Sequence, residues 1–189
     1  MIAWIIGSSS VYSKEVAKQL KEKGYTVLLM GRANLDYGAT PGAQLESRET
    51  PDLVFININA EDYTYQEGYG AHNSMPSNID WNNYSSMLDF KHSLYEYLYE
   101  INKEVHVCEV TSSITYWPYQ HLDCLPYSIL RATQQCIAHA HSDKLNCFMV
   151  CPNGITEEGV YDYARLTVNL LQRAPDFGVY DLCDGGTRL

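Results

Sequence analysis

Short, continuously apolar runs recur along the chain, and most are separated by a stretch with helical spacing. The runs are IAWII (2–6), YTVLLM (25–30), PDLVFIN (51–57), VHVCEVTS (105–112), NCFMVC (146–151) and GVYDLC (178–183). A strand that is apolar at successive positions, rather than at alternate ones, has both faces covered. That is the condition of a parallel sheet packed between helices. The intervening segments supply the cover. KEVAKQLKEKG (14–24) puts Val16, Ala17 and Leu20 on one face and stops at Gly24. Residues 81–102 repeat Trp81, Tyr84, Leu88, Lys91, Tyr95, Leu98 and Ile101 at intervals of three and four. YSILRATQQCIAHAH (127–141) aligns Leu130, Thr133, Ile137 and Ala140, and YDYARLTVNLLQRA (161–174) completes the set. With right-handed crossovers this pattern predicts an α/β fold, a doubly wound, mostly parallel, Rossmann-like sheet. The length suits one domain over residues 1–189. Ligands of such sheets bind beyond the carboxyl ends of the strands.

Composition narrows the partners. A net charge of −10 repels phosphate backbones, which argues against nucleic acid. No apolar run approaches the ~20 residues of a membrane span, and Met1–Trp4 resembles no signal peptide. The expectation is a cytoplasmic protein with a small-molecule ligand and no metal. The six cysteines contain no CxxC pair, and most sit in apolar surroundings, which predicts buried thiols in a reducing compartment. His139 and His141, two apart on a helix, point to different sides and make no metal pair.

Three stretches carry candidate chemistry. The first is IIGSSSVYSKEVAKQL (5–20), where a strand runs through Gly7 into serines and a helix. A helix N-terminus offers unpaired amides and a positive dipole end to a phosphate. Ser8, Ser9, Ser10 and Ser13 can add hydroxyl donors; the bland alternative is a strand-to-helix turn with a serine N-cap. The second is MGR after the second strand. An arginine there accommodates a ribose 2′-phosphate where an acidic residue would take the 2′-hydroxyl. Arg32, with Lys14 nearby, therefore favours NADP(H) over NAD(H). The third is TSSITYWPYQHLDCLPYSILR (111–131), in which Arg131 follows Tyr127 by four residues on a helix. A fixed cation one turn away lowers the pKa of a phenol and suits it to proton transfer.

The order of these features is a glycine turn, Arg32, asparagines after LVFI, a serine pair, YxxxR, CPNGI and DLCDGG. It resembles the short-chain dehydrogenase/reductase family over essentially the whole chain, from Ile5 to Gly186. The resemblance implies nicotinamide-dependent oxidoreduction. It makes Gly7 the first glycine of the cofactor turn, with Ser9, Ser10, Val11, Tyr12 and Lys14 around it. It makes Tyr127 the acid–base group and Ser113, with Ser112 as the alternative, the group that orients the substrate oxygen. Arg131 stands where the family has a lysine that grips the nicotinamide ribose. Asn57 or Asn59 falls in the asparagine region, and Pro152, Asn153, Gly154 and Ile155 in the loop beside the nicotinamide. Asp184, Gly185 and Gly186 match a terminal structural motif. Family members often pair through the helices equivalent to 81–102 and 127–141, which implies a homodimer or homotetramer with Phe90, Tyr95 and Tyr99 as aromatic anchors.

The chain departs from that pattern. Val11 and Ser13 replace the second and third glycines, and a valine can obstruct a close backbone approach. The family's helix asparagine has no clear equivalent; Asp89 or Leu88 falls near its place. The stretch between Arg32 and Pro51 is short, so the third strand and its helix are stunted or missing. The substrate lid after Gly154 is nearly absent, and residues 61–81 are the obvious substitute. Two readings follow. One is an NADP(H)-dependent oxidoreductase acting on a small carbonyl or alcohol. The other is a catalytically degenerate relative that binds a nucleotide or a protein partner without turnover.

Overall fold

The protein is described by a computed structural model covering residues 1–58, 81–112, 125–152, 159–183 and 186–188. The expectations placed on Asn59, the substitute lid, Ser113, Asn153, Gly154, Ile155, Asp184 and Gly185 lie outside those residues, as does the side chain of Tyr127.

The apolar runs form the strands. They are β1 (Ile2–Ile6), β2 (Thr26–Met30), β3 (Leu53–Ile56), β4 (His106–Val110), β5 (Asn146–Pro152) and β6 (Val179–Cys183), followed by a short β7 (Gly186–Arg188). The helices are α1 (Val11–Glu22), α2 (Pro41–Leu45), α3 (Trp81–Ile101), α4 (Leu125–His141) and α5 (Val160–Arg173). One sheet runs in the order β2-β1-β3-β4-β5-β6-β7, parallel throughout except for the β6–β7 pair. This is the doubly wound Rossmann-like arrangement. The chain steps from β1 outward to β2 and then crosses to β3 on the other flank of β1. The strand order therefore reverses between β1 and β3, where such sheets open a crevice.

Burial is nearly continuous along β1, β3, β4 and β5, and successive side chains alternate between two cores, as a sheet covered on both faces requires. Trp4, Ile6, Val54, Ile56, Val107 and Met149 pack into one core with α3 and α4. Ala3, Ile5, Phe55, Cys108, Phe148 and Val150 pack into the other with α1 and α5. In the second core the Tyr12 ring meets Phe55 edge-on at 5.5 Å, and its hydroxyl bonds the Thr167 hydroxyl. Burial drives the Tyr12 phenol far above its ordinary range. Tyr12 is thus a rivet between α1 and α5, and only its backbone is available to a ligand.

Between β2 and β3 the chain forms no strand, and α2 is its only helix. The expected third strand is missing and β2 is the sheet edge. Asn34 closes that edge: its Oδ1 accepts from the Gly31 amide at 2.7 Å and its Nδ2 donates to the Leu29 carbonyl at 3.2 Å.

Three expectations need correction. The buried stripe of α4 is Leu130, Arg131, Gln134, Ala138 and His141, whereas Ala140 is exposed. Polar residues on the inner face displaced the apolar count. Phe90 and Tyr95 are buried in the chain's own core and cannot anchor a partner, which leaves Tyr99 half-buried. Cys136 is exposed, while Cys108, Cys147 and Cys151 are buried; burial pushes the Cys147 thiol up to about 12.

The Tyr12–Thr167 contact has a measurable consequence. Thr167→Val leaves a buried phenol without its partner and should cost about 1–3 kcal/mol. Tyr12→Phe in the Thr167→Val background should recover most of that loss. Denaturant unfolding of the single and double variants measures both.

Candidate functional site

The candidate site lies along the carboxyl edge of the parallel strands, where Gly7, Gly31, Asn57, Thr111 and Pro152 stand at or just past the ends of β1 to β5.

The turn after β1 is built on a contact between main chains. Gly7 has φ +85°, and its amide donates to the Met30 carbonyl at 2.8 Å. A Cβ at that position would stand 2.1 Å from the Asn57 carbonyl oxygen. Only glycine tolerates both the conformation and the approach. Ser10 then caps α1, its Oγ accepting from the Ser13 amide at 3.0 Å. The Ser10 hydroxyl donates to Ser13 Oγ at 2.8 Å, and the Ser13 hydroxyl donates to the Gly7 carbonyl at 2.8 Å. Asn57 Nδ2 donates to both hydroxyl oxygens, at 2.9 and 3.1 Å. The two serines and the asparagine therefore hold the turn, and their protons are engaged within it. The sequence offers the Ser10 and Ser13 hydroxyls as phosphate donors; here both donate within the turn. Ser13, fully buried where the family has its third glycine, fits without obstruction because its hydroxyl bonds the turn it faces.

What the turn leaves open is backbone. The amides of Val11 and Tyr12, the first two of α1, have no acceptor among the described residues. Orphan amides at a helix start are the groups that bind an anion. The Val11 side chain is 61% exposed and so lies on the solvent side of the turn rather than within it. Ser9 and Lys14 are exposed on the same rim.

Beyond β2, Arg32 lines an open cleft of about 690 Å³ with Asn34, Asp36 and Tyr37 of its own loop, Gln44 of α2, and Ser86 and Met87 of α3. Gln44 fixes the loop: its Oε1 accepts from the Asp36 amide at 2.7 Å and its Nε2 donates to the Asp36 carbonyl at 2.9 Å. The stunted connection thus still makes the wall of a pocket.

The corner between β4 and α4 holds Arg131. The guanidinium is buried, with Nη1 donating to the Val110 carbonyl at 3.1 Å and to Gln134 Oε1 at 3.0 Å. Gln135 Nε2 donates to Thr111 Oγ1 at 2.9 Å on the same strand end. From α3, Lys91 forms a buried ion pair with Glu109 of β4, and the Tyr95 hydroxyl donates to the other Glu109 oxygen at 3.0 Å. Burial lowers the Lys91 pKa, and Arg131 lowers it further. Asp89 is exposed and Leu88 half-buried, so neither supplies an inward polar group; among the described residues of α3, Lys91 and Tyr95 do. Sequence reasoning missed the pair, although the signal was there. Lys91 stands in register with the apolar residues of its helix, and Glu109 interrupts an apolar strand.

The fold is of the Rossmann type, and the solved structures it is similar to include dehydrogenases and epimerases. Among solved structures it is similar to a small-chain dehydrogenase in complex with NADPH, with a TM-score of 0.71, 11% identity, and 98% of this chain and 97% of that one covered. It is similar also to the UDP-N-acetylglucosamine 4-epimerase of Bacillus cereus, with a TM-score of 0.69, 14% identity, and coverage of 100% and 80%. A third is the dTDP-4-dehydrorhamnose reductase of Clostridium acetobutylicum, with a TM-score of 0.65, 13% identity, and coverage of 96% and 74%. No family model and no curated protein matches the sequence.

Two glycines separate strain from contact. Gly24 has φ +88°, close to that of Gly7, but nothing lies within 4 Å of a Cβ built there. Gly24→Ala should cost about 1 kcal/mol, the left-handed conformation alone. Gly7→Ala should cost at least about 3 kcal/mol more, because the Asn57 carbonyl must also move. Chemical denaturation of both variants tests the difference.

Proposed function

We propose that the protein is an NADP(H)-dependent oxidoreductase acting on a small carbonyl or alcohol. The observation that carries this reading is the placement of three features on one edge at the strand reversal: the open amides of α1, the arginine-lined cleft and the β4–α4 corner. The residues present fit a dinucleotide. Gly7 keeps the backbone low, the Val11 and Tyr12 amides are open to an anion, and Arg32, with Lys14 on the same rim, suits a 2′-phosphate. Ser9, Asn59, Pro152, Asn153, Gly154 and Ile155 would complete the cofactor's surroundings, and Ser10 and Asn57 would act by holding the turn in shape. When bound, the cofactor would supply or accept the hydride.

The chain's own part is proton handling and orientation. Tyr127 passes a proton to or from the substrate oxygen. Ser113 or Ser112 holds that oxygen by a hydrogen bond. Arg131, one helical turn from Tyr127, favours the phenolate and keeps the end of β4 in place. Pairing of two copies through α3 and α4 would rest on the polar face of α3 and on Tyr99, since the other two rings are interior.

A second reading has its own support. The Arg131 side chain is buried, and two of its hydrogen bonds turn inward, to Val110 and Gln134. That suits a relative that binds a nucleotide, or a protein partner, without turnover.

Fluorescence transfer from tryptophan to a bound nicotinamide separates the readings. NADPH should bind more tightly than NADH, and Arg32→Ala should weaken NADPH by at least about tenfold, about 1.4 kcal/mol, while leaving NADH unchanged. Tyr127→Phe should keep binding and lose turnover by at least about 100-fold across a panel of carbonyls. Binding of neither nucleotide would overturn both cofactor readings. Binding without turnover in the unaltered protein would favour the degenerate one.

A further inference from the structure

Where the last turn of α4 meets the middle of α3, two imidazoles face each other. His141 Nε2 and His92 Nδ1 are 3.0 Å apart. His141 is only 3% exposed, and its ring stacks on that of Tyr95 at 5.2 Å. The His92 side chain is 54% exposed, and its Nε2 lies 3.6 Å from Glu96 Oε1, one turn along α3. The second nitrogen of His141, Nδ1, is buried and has no hydrogen-bond partner among the described residues. The contact thus has a wet end at His92 and a dry end at His141.

That orphan nitrogen decides where the protons go. A neutral imidazole carries one N–H. Two placements keep the bond between the rings. In the first, His141 donates from Nε2 and His92 turns its own N–H toward the Glu96 carboxylate, so every donor has an acceptor. In the second, His92 donates, which strands the His141 proton on Nδ1 and points a bare nitrogen at Glu96. A buried donor without an acceptor is costly, so the first placement is the stable one.

Neither histidine can take a second proton in that arrangement. On His141 the proton goes to Nδ1, where no acceptor waits. On His92 it goes to Nδ1 and meets the His141 N–H donor to donor. Burial first, then the charges of His92 and Lys144, hold the His141 imidazole below its ordinary range, and Glu96 works the other way. The Tyr95 hydroxyl is turned away to Glu109, which Lys91 pairs. The Cys147 thiol of β5 is pushed up to about 12 and stays neutral. His139, on the same turn of α4, meets Phe177 instead, at 5.0 Å.

We propose that His92 and His141 form an acid-sensitive latch between α3 and α4, closed while both rings are neutral and opened when either takes up a proton. His141 closes α4 just before β5 begins, so the latch lies toward the amino edge of the sheet, opposite the candidate site. It needs neither cofactor nor partner. Its contribution to stability is full above the ordinary histidine value of 6.5 and is lost as pH falls below that value. While the closed form stays neutral, each further pH unit favours the open form by about tenfold.

Hydrogen exchange, corrected for the intrinsic rate at each pH, reads the opening. From about pH 7.5 to about pH 5.5, protection in the second half of α3 and the last turn of α4 should fall by at least about tenfold, with α1 and α5 unchanged. His141→Phe keeps a ring on Tyr95 and removes the titration, so protection in that variant should not depend on pH. An equal loss in all four helices, no loss in the unaltered protein, or the same loss in His141→Phe would each overturn the proposal. If His141→Phe does not fold, nitrogen-15 NMR of the histidine rings decides, with His92→Gln on the exposed side identifying the signals of the pair. At about pH 7.5 the His141 proton should sit on Nε2. A proton on Nδ1, or a His141 midpoint at or above 6.5, sinks the latch.

Discussion

The backbone of Gly7 lies against the carbonyl of Asn57, closer than any side chain would allow. That contact joins the ends of β1 and β3, the two strands between which the sheet changes direction. It fixes where α1 begins, because the chain leaving Gly7 must turn at once into the cap supplied by Ser10. It also decides what three polar side chains do. Once Asn57 is held there, its amide reaches both serine hydroxyls and ties the turn shut. The amides left at the head of α1 are therefore presented from a rigid frame, and anion binding there would need no reordering of the chain.

The second organising element is electrostatic. Sheets of this kind bury their middle strands completely, and most of β4 obeys that rule with Val107, Cys108 and Val110. Glu109 is just as buried but charged, and the interior answers it with a lysine and a phenol from one helix, while an arginine from another bonds the carbonyl one residue along. Buried charge is retained in proteins where partners meet it, and the buried charges here sit on three elements, α3, β4 and α4. The result ties α3, β4 and α4 together at the end of the strand that leads to Ser112, so the geometry of the corner depends on charge as well as on packing.

Most of the architecture was legible in the sequence because strands buried on both faces announce themselves by unbroken apolar runs. The boundaries were less so. Reading the region as a glycine turn hid the fact that Val11, Tyr12 and Ser13 are already helical. The face of α4 was misjudged by one position because Arg131, Gln134 and His141 lie inward, and polarity normally argues for the outside. The elements α2 and β7 left no periodic signal, being too short for one, and tertiary contacts alone define them. At the site, the residues that follow each strand could be named in advance. The direction of their side chains could not. Ser10 looks like a phosphate donor until its proton goes to Ser13 and Asn57, from 47 residues away, fixes its oxygen.

The absence of a strand beyond β2 shows how this fold can be pruned. A sheet wound outward in both directions keeps its crevice near the centre, so a unit lost from the rim removes no wall of the crevice that the neighbouring loop cannot rebuild. What the loss does create is a raw border of backbone, an invitation to pair with whatever passes. Asn34 folds back over that border and occupies the Leu29 carbonyl with its own amide. At that one carbonyl a side chain makes the bond that a neighbouring strand would have made.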